Sequence, residues 1–214
     1  MHFASYYRWL VYQHLFQPPV PEATLLDIGS DDGGFIERLT VRSSVALDLS
    51  LEALHRSRAQ AKVCADGTRM PFAHATFDHV ILSDVIEHVP DDARLLAAVA
   101  ARVRPGGRLW LSTTAAQFQL FPAAITARAE RAWGHVRKGY HPHTLRDMFP
   151  PDFQVTLIEW PETTLRHTYL LTWALSKRTP VLARSLARLC FAADLRQRHP
   201  SPYGHLYVEA TRHA

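Results

Sequence analysis

Apolar residues in this chain come in short runs separated by helical stripes, and over the first half the alternation is regular. Thr24, Leu25, Leu26 and Ile28 make a run suited to a buried strand, interrupted by Asp27 just before a glycine turn. Phe35, Ile36 and Leu39 then mark one face of a helix, and Val45, Ala46 and Leu47 a second strand that ends on Asp48. Ser50 is placed to cap a helix running to residue 59. Residues 62–65 read as a third strand and Phe77–Ser83 as a fourth, centred on Val80, Ile81 and Leu82. Asp91 or Asp92 opens a helix with Leu95, Leu96, Val99 and Val103 on one face. Pro105, Gly106 and Gly107 stop it and lead into a fifth strand over 108–113. Strict alternation of strand and helix predicts a parallel, doubly wound sheet.

The flanks are patterned differently. Upstream, Tyr7, Leu10, Val11, His14 and Leu15 recur at helical spacing over 6–16, closed by Pro18, Pro19 and Pro21. Residues 115–143 carry aromatic, basic and histidine residues but no strand pattern. Phe153–Trp160 and residues 203–210 read as sixth and seventh strands. Between them, 165–195 is helical, with Thr179 and Pro180 as N-cap and first residue of its second half. Leu182, Leu186 and Leu189 share a face there, with Arg184 and Arg188 away from it. The expectation is that this face packs on the body; a face turned to a membrane or a lipid-like acceptor is the alternative.

The first turn carries the chemistry. Gly29, Gly33 and Gly34 let the backbone approach a ligand closely. Asp48 follows Gly29 by nineteen residues, where an acid can accept from both hydroxyls of a ribose. A dinucleotide turn needs G-x-G-x-x-G to hold a pyrophosphate, whereas this one places Asp31 and Asp32 where phosphate oxygens would arrive. A nucleoside with a positive centre and an ammonium group suits it better.

In order along the chain, LLDIGSDDGG, ALDLS, ADGTRMPF, FDHVILSDVIEHV and RVRPGGRLWLST resemble the successive motifs of class I S-adenosylmethionine-dependent methyltransferases. They are most similar to the small-molecule type that includes quinone-biosynthesis methyltransferases, and the resemblance covers residues 22–115. It implies one Rossmann-like α/β domain, with a doubly wound, mostly parallel seven-stranded sheet whose last strand is antiparallel. It also implies a lid-like insertion at 116–143 and C-terminal strands with a helical excursion over 152–212. S-adenosyl-L-methionine is the implied cofactor, held by Asp27, Gly29, Ser30, Gly33, Asp48, Leu49, Asp66, Gly67 and Ser83. Where the family has a middle glycine, this chain has Asp31. Glu87 and His88, with His135 and Tyr140 of the insertion, are the catalytic candidates; Arg137, His141 and His143 are further candidates to meet the acceptor. Tyr6, Tyr7 and Trp9 read as core, with an acceptor-pocket wall as the alternative.

Composition narrows this only slightly. Hydrophobic residues make up 47% and charged residues 21%, as in an ordinary globular protein. Cys64 and Cys190 form no C-x-x-C pair, and His141 and His143 lack a nearby carboxylate ligand set, so no metal centre is expected. With no signal-peptide pattern and no run of about 20 apolar residues, the expectation is a cytoplasmic protein, with a peripheral membrane contact through 165–195 as the alternative. Residues 161–214 hold 8 basic and 3 acidic residues, so the positive excess of +4 lies at the C-terminal end. A basic end suggests a nucleic-acid substrate, but no N-P-P-Y-like motif follows the fourth strand, and nucleic acid is not expected. The expected acceptor is a small or lipid-like molecule methylated at a hydroxyl; the alternatives are RNA, protein, or a fold that binds cofactor without catalysis.

Overall fold

In a computed structural model, residues 3–31, 33–197 and 201–214 are described. Seven strands, β1 (Thr24–Ile28), β2 (Ser43–Asp48), β3 (Ala61–Cys64), β4 (Phe77–Ser83), β5 (Val103–Thr114), β6 (Phe153–Trp160) and β7 (His205–Arg212), form one sheet in the order β3-β2-β1-β4-β5-β7-β6. β1 pairs in parallel with both β2 and β4, so strand order reverses beside it, where such sheets open a ligand crevice. β7 runs antiparallel between β5 and β6. This is the Rossmann-like fold class expected from the motifs.

The sheet is buried on both faces. Leu26, Val80, Leu109 and Val208 point to the side covered by α3 (Asp92–Ala100) and α5 (Pro142–Asp147). Leu25, Ile81, Trp110 and Tyr207 point to the side covered by α1 (Phe3–Leu15), α6 (Thr163–Arg178) and α7 (Pro180–Asp194). Each such side chain contributes roughly 1.5–3 kcal/mol when buried. A one-residue slip would exchange the two sets, so packing specifies the register strongly. Tyr6, Tyr7 and Trp9 are buried in the second set, as core.

Several local expectations change. The helix after the glycine turn shrinks to one 3-10 turn, Ile36–Arg38, because Leu39 is already extended on its way to β2 at Ser43. Ser50 does cap α2 (Leu51–Arg56), accepting from the Ala53 N–H at 3.1 Å, but that helix ends early where Ser57 turns extended. β5 starts at Val103 rather than 108. Its register jumps from Phe77↔Val103 to His79↔Arg108, with Pro105 and Gly106 (φ +73°) in the bulge. Thr179 precedes α7 without capping it, since its hydroxyl donates back to the Leu175 carbonyl.

The inward face of α7 is also not the leucine stripe. Ala183, Ala187 and Cys190 are buried, while Leu182 and Leu189 are 53% and 67% exposed. Three helices crowd this face of the sheet, and small side chains let α7 approach closely. Asp194 fastens the assembly: it accepts from the Tyr7 hydroxyl at 2.6 Å and the Thr164 N–H at 2.7 Å, and Trp160 Nε1 donates to the same tyrosine at 2.9 Å. Asp194→Ala leaves these buried donors unsatisfied. It is expected to cost about 2–3 kcal/mol and to lower Tm by roughly 4–12 °C in thermal unfolding.

Candidate active site

The glycine turn after β1 makes a cleft of about 180 Å³ lined by Asp27, Gly29, Ser30, Phe35, Ser83 and Asp84, among others. Gly29 (φ +66°) and Gly33 (φ +70°) are left-handed, and a Cβ on either would meet Val85 Cγ2 or Ser57 Oγ at 2.3 Å. Asp31, in place of the family's glycine, takes the same left-handed conformation at φ +44°, which Asp tolerates better than most residues. Its N–H donates to Asp48 Oδ2 at 3.0 Å, and the Ser50 N–H donates to Oδ1 at 2.8 Å, so two backbone donors aim the Asp48 carboxylate. Asp32 lies outside the described residues. Leu49 is exposed beside Asp48. Asp66 is exposed after β3. The Thr68 N–H, donating to its carboxylate at 2.8 Å, holds its pKa below the usual range. Gly67 packs so closely under Leu95 and Ile28 that a Cβ would crowd both.

These residues fit a nucleoside with a charged amino-acid tail. Ser30 Oγ is buried in the cleft wall with no protein partner, and the glycine turn leaves backbone open to a ligand. Ser83 is held by Ser112, with 2.9 Å between their hydroxyls.

A larger cavity of about 460 Å³ shares Ser5, Asp31 and Asp84 with this cleft. Phe118, Trp133, Leu165, Tyr169 and Trp173 form an apolar part of its wall. The polar part is an ion-pair network. Arg8 of α1 pairs with Asp84, which also accepts from the Ser112 hydroxyl at 2.8 Å. His205 Nδ1 lies 2.5 Å from Glu162 Oε2, and the Tyr207 hydroxyl donates to Glu162 Oε1 at 3.2 Å. Asp84 (φ +52°) and Glu162 (φ +47°) are both left-handed, a strain tolerated because their surroundings over-determine them. Burial works against ionised Asp84, but Arg8 and His205 outweigh it and hold its pKa low. Burial likewise disfavours protonated His205, and Glu162 reverses that, raising its pKa.

Glu87, His88 and His135 meet in the same cavity, their ligand atoms all within 4.8 Å of one another. Burial, then the nearby Asp84 charge, pushes the Glu87 carboxyl up to about 7. Glu87 Oε2 accepts from the Thr113 hydroxyl at 3.0 Å, while Oε1 has no partner. Burial, then His88, pushes His135 down to about 4, so it is neutral near pH 7. The same three donors are close enough to ligate one divalent cation. As metal candidates the sequence pattern offers the two cysteines and the pair His141 and His143, and His135 lies far along the chain from Glu87 and His88.

The insertion delivers His135 through Arg137, whose Nη1 donates to the Ile86 and Val89 carbonyls at 2.7 Å and Nη2 to the Pro90 carbonyl at 2.9 Å. Arg137 therefore clamps the loop after β4 and does not face the cavity. Tyr140 is likewise placed elsewhere, donating to Asp92 Oδ2 at 2.7 Å. His141 and His143 are exposed and stacked on each other at 5.7 Å. Arg8, Glu162, Arg166 and His205 escaped the sequence reading. One signal for His205 was available: the first residue of an antiparallel last strand falls at the carboxyl edge of the parallel ones.

Residues 26–111 match the family model described as a methyltransferase domain. The chain is 33% identical over 124 residues to a biotin biosynthesis bifunctional protein of Cellvibrio japonicus, covering 55% of this chain and 23% of that one. It is 30% identical over 132 residues to a ubiquinone biosynthesis O-methyltransferase of Vibrio atlanticus, covering 56% and 54%. It thus spans about half the length of the ubiquinone-pathway relative and a quarter of the other. A S-adenosylmethionine-dependent methyltransferase structure from Mesorhizobium loti superposes over 98% of this chain and 100% of its own, at TM-score 0.65 and 20% identity. This is a class I S-adenosylmethionine-dependent methyltransferase fold, with S-adenosylmethionine as the cofactor of its kind.

Asp48→Ala removes the carboxylate that the Asp31 and Ser50 N–H groups hold at the rim of the cleft. Calorimetry with S-adenosylhomocysteine is expected to show a loss of about 1.5–3 kcal/mol in affinity with the fold intact. Asp31→Gly, which relieves a left-handed side-chain residue, is expected to bind equally or more tightly in the same titration.

Proposed function

We propose that the protein transfers a methyl group from S-adenosylmethionine to a hydroxyl of a small or lipid-like molecule. The observation that carries this reading is the continuity of cleft and cavity through Ser5, Asp31 and Asp84. It lets two ligands meet end to end, as an in-line displacement requires, with reacting atoms held at about 3–3.5 Å. The bound cofactor supplies a methyl group already activated by its sulfonium. Asp27, Gly29, Ser30, Gly33, Asp48, Leu49, Asp66, Gly67 and Ser83 would hold it. Asp84, ionised at the junction, favours positive charge there, and the Phe118, Trp133 and Trp173 wall suits an aromatic or lipid-like acceptor. The hydroxyl proton passes to the Glu87–His88–His135 cluster, a base where neutral pH allows one. Among the described residues no helix is long and apolar enough to cross a membrane.

Labelled cofactor incubated with extracts of the source cells tests the reading. Label is expected in the small-molecule or lipid fraction; label confined to RNA or protein overturns the acceptor class. The Glu87 role has a separate check. A folded pKa raised to about 7 stabilises fully below the ordinary carboxyl value, and that contribution is lost as pH rises through 7. Denaturation between pH 5 and 8 is therefore expected to show wild type losing stability relative to Glu87→Gln, by at most about 1.4 kcal/mol per pH unit. Glu87→Gln is also expected to lower kcat about 100-fold or more while sparing cofactor affinity.

A further inference from the structure

A second concavity, about 440 Å³, lies between α1 and α7, away from the acceptor cavity. Tyr6, Trp9, Gln13 and three arginines, Arg38, Arg184 and Arg188, line it, with no acidic residue among the lining groups. The guanidinium carbons of Arg38 and Arg188 each sit 5.6 Å from the centre of the Tyr6 ring, and Arg188 Nε donates to the Tyr6 hydroxyl at 2.7 Å. Arg38 spends one donor on the Gly34 carbonyl, and Arg184 Nε is buried with no partner. Among the described residues, none of the three forms an ion pair within 4.0 Å. Three like charges in one concavity repel each other, and an anion with several acceptor oxygens, such as a phosphate, relieves that repulsion while using the idle donors.

The surroundings say where that phosphate comes from. On α7, next to Arg184 and Arg188, Val181, Leu182 and Leu189 are 78%, 53% and 67% exposed. Across the hairpin, Leu170 and Leu171 of α6 are also exposed. A soluble phosphate ligand has no use for such a ridge. An apolar stripe flanked by cations is the pattern of a helix lying in a membrane interface, its apolar side about 5–10 Å deep. The hairpin also carries Tyr169 and Trp173 of the acceptor-cavity wall.

We propose that α7 docks this protein on an anionic phospholipid bilayer, a headgroup phosphate held by Arg38, Arg184 and Arg188 and the Val181–Leu182–Leu189 ridge among the acyl chains. Docking is independent of whether the acceptor is itself a lipid.

Co-sedimentation tests it, using phosphatidylcholine vesicles with and without phosphatidylglycerol at low and high salt. Wild type is compared with Arg184→Gln/Arg188→Gln and Leu182→Asn/Leu189→Asn. Unchanged S-adenosylhomocysteine affinity and thermal melting certify each variant's fold and keep the methyltransferase reading separate. Wild type is expected to partition onto the anionic vesicles only, more weakly at high salt, and each double variant to bind about tenfold less or worse. Equal partitioning of all three proteins, or none by wild type, overturns the proposal. So does micromolar binding of glycerol 3-phosphate without vesicle partitioning, which would assign the pocket to a soluble phosphate.

Discussion

The Arg8–Asp84 ion pair is the contact on which the arrangement of the site depends. It ties α1, which precedes the sheet in sequence, to the residue ending β4, where cleft and cavity join. Asp84 sits there in a left-handed conformation, its N–H donating to the Ser112 carbonyl and its carboxylate accepting from the Ser112 hydroxyl. With two backbone and side-chain anchors and one buried counter-charge, a strained turn becomes the settled one. Without Arg8 the carboxylate would lose the largest of the contributions that offset its desolvation, and α1 would lose its ion pair over the cavity.

A second pair repeats the logic on the other side. Glu162, also left-handed and buried, is paired with His205 and steadied by Tyr207. Asp84 and Glu162 each have a basic partner; among the described residues Glu87 has none, and burial together with the Asp84 charge makes it hold its proton more tightly. His135, brought beside it by the Arg137 clamp, responds oppositely and stays neutral. One desolvated cavity thus holds a neutral imidazole beside a carboxyl whose protonation changes near neutral pH, which is what proton transfer needs.

The two apolar surfaces of the α6–α7 hairpin have different physical reasons. Its inward face is small, Ala183, Ala187 and Cys190, because two other helices share that side of the sheet. Its outward face keeps large leucines that the fold does not use. Periodicity assigned Leu182, Leu186 and Leu189 to the core because a hydrophobic stripe is normally the buried one. Leu186 does pack there, but the close approach of α1 and α6 leaves Leu182 and Leu189 outside.

The sequence by itself determined the sheet and where the candidate cofactor residues lie along it, at the strand ends. Runs such as Val80-Ile81-Leu82 carry their period locally, and Gly29, Asp48 and Asp66 lie at strand ends whose spacing is written in the chain. Even Asp31, which departs from the family pattern, kept the backbone shape the turn requires. Element lengths were less legible: the 3-10 turn at Ile36–Arg38 and the bulge at Gly106 follow from how far the chain must travel between paired strands. The acceptor side belonged to tertiary structure. Arg8, Glu87, His135, Glu162 and His205 come from five separate segments, and Arg137 and Tyr140 carry donors that satisfy a neighbouring loop instead of a ligand. Local pattern cannot report such meetings, because burial and pairing between residues far apart in the chain decide which polar side chain faces a cavity and which one clamps the backbone.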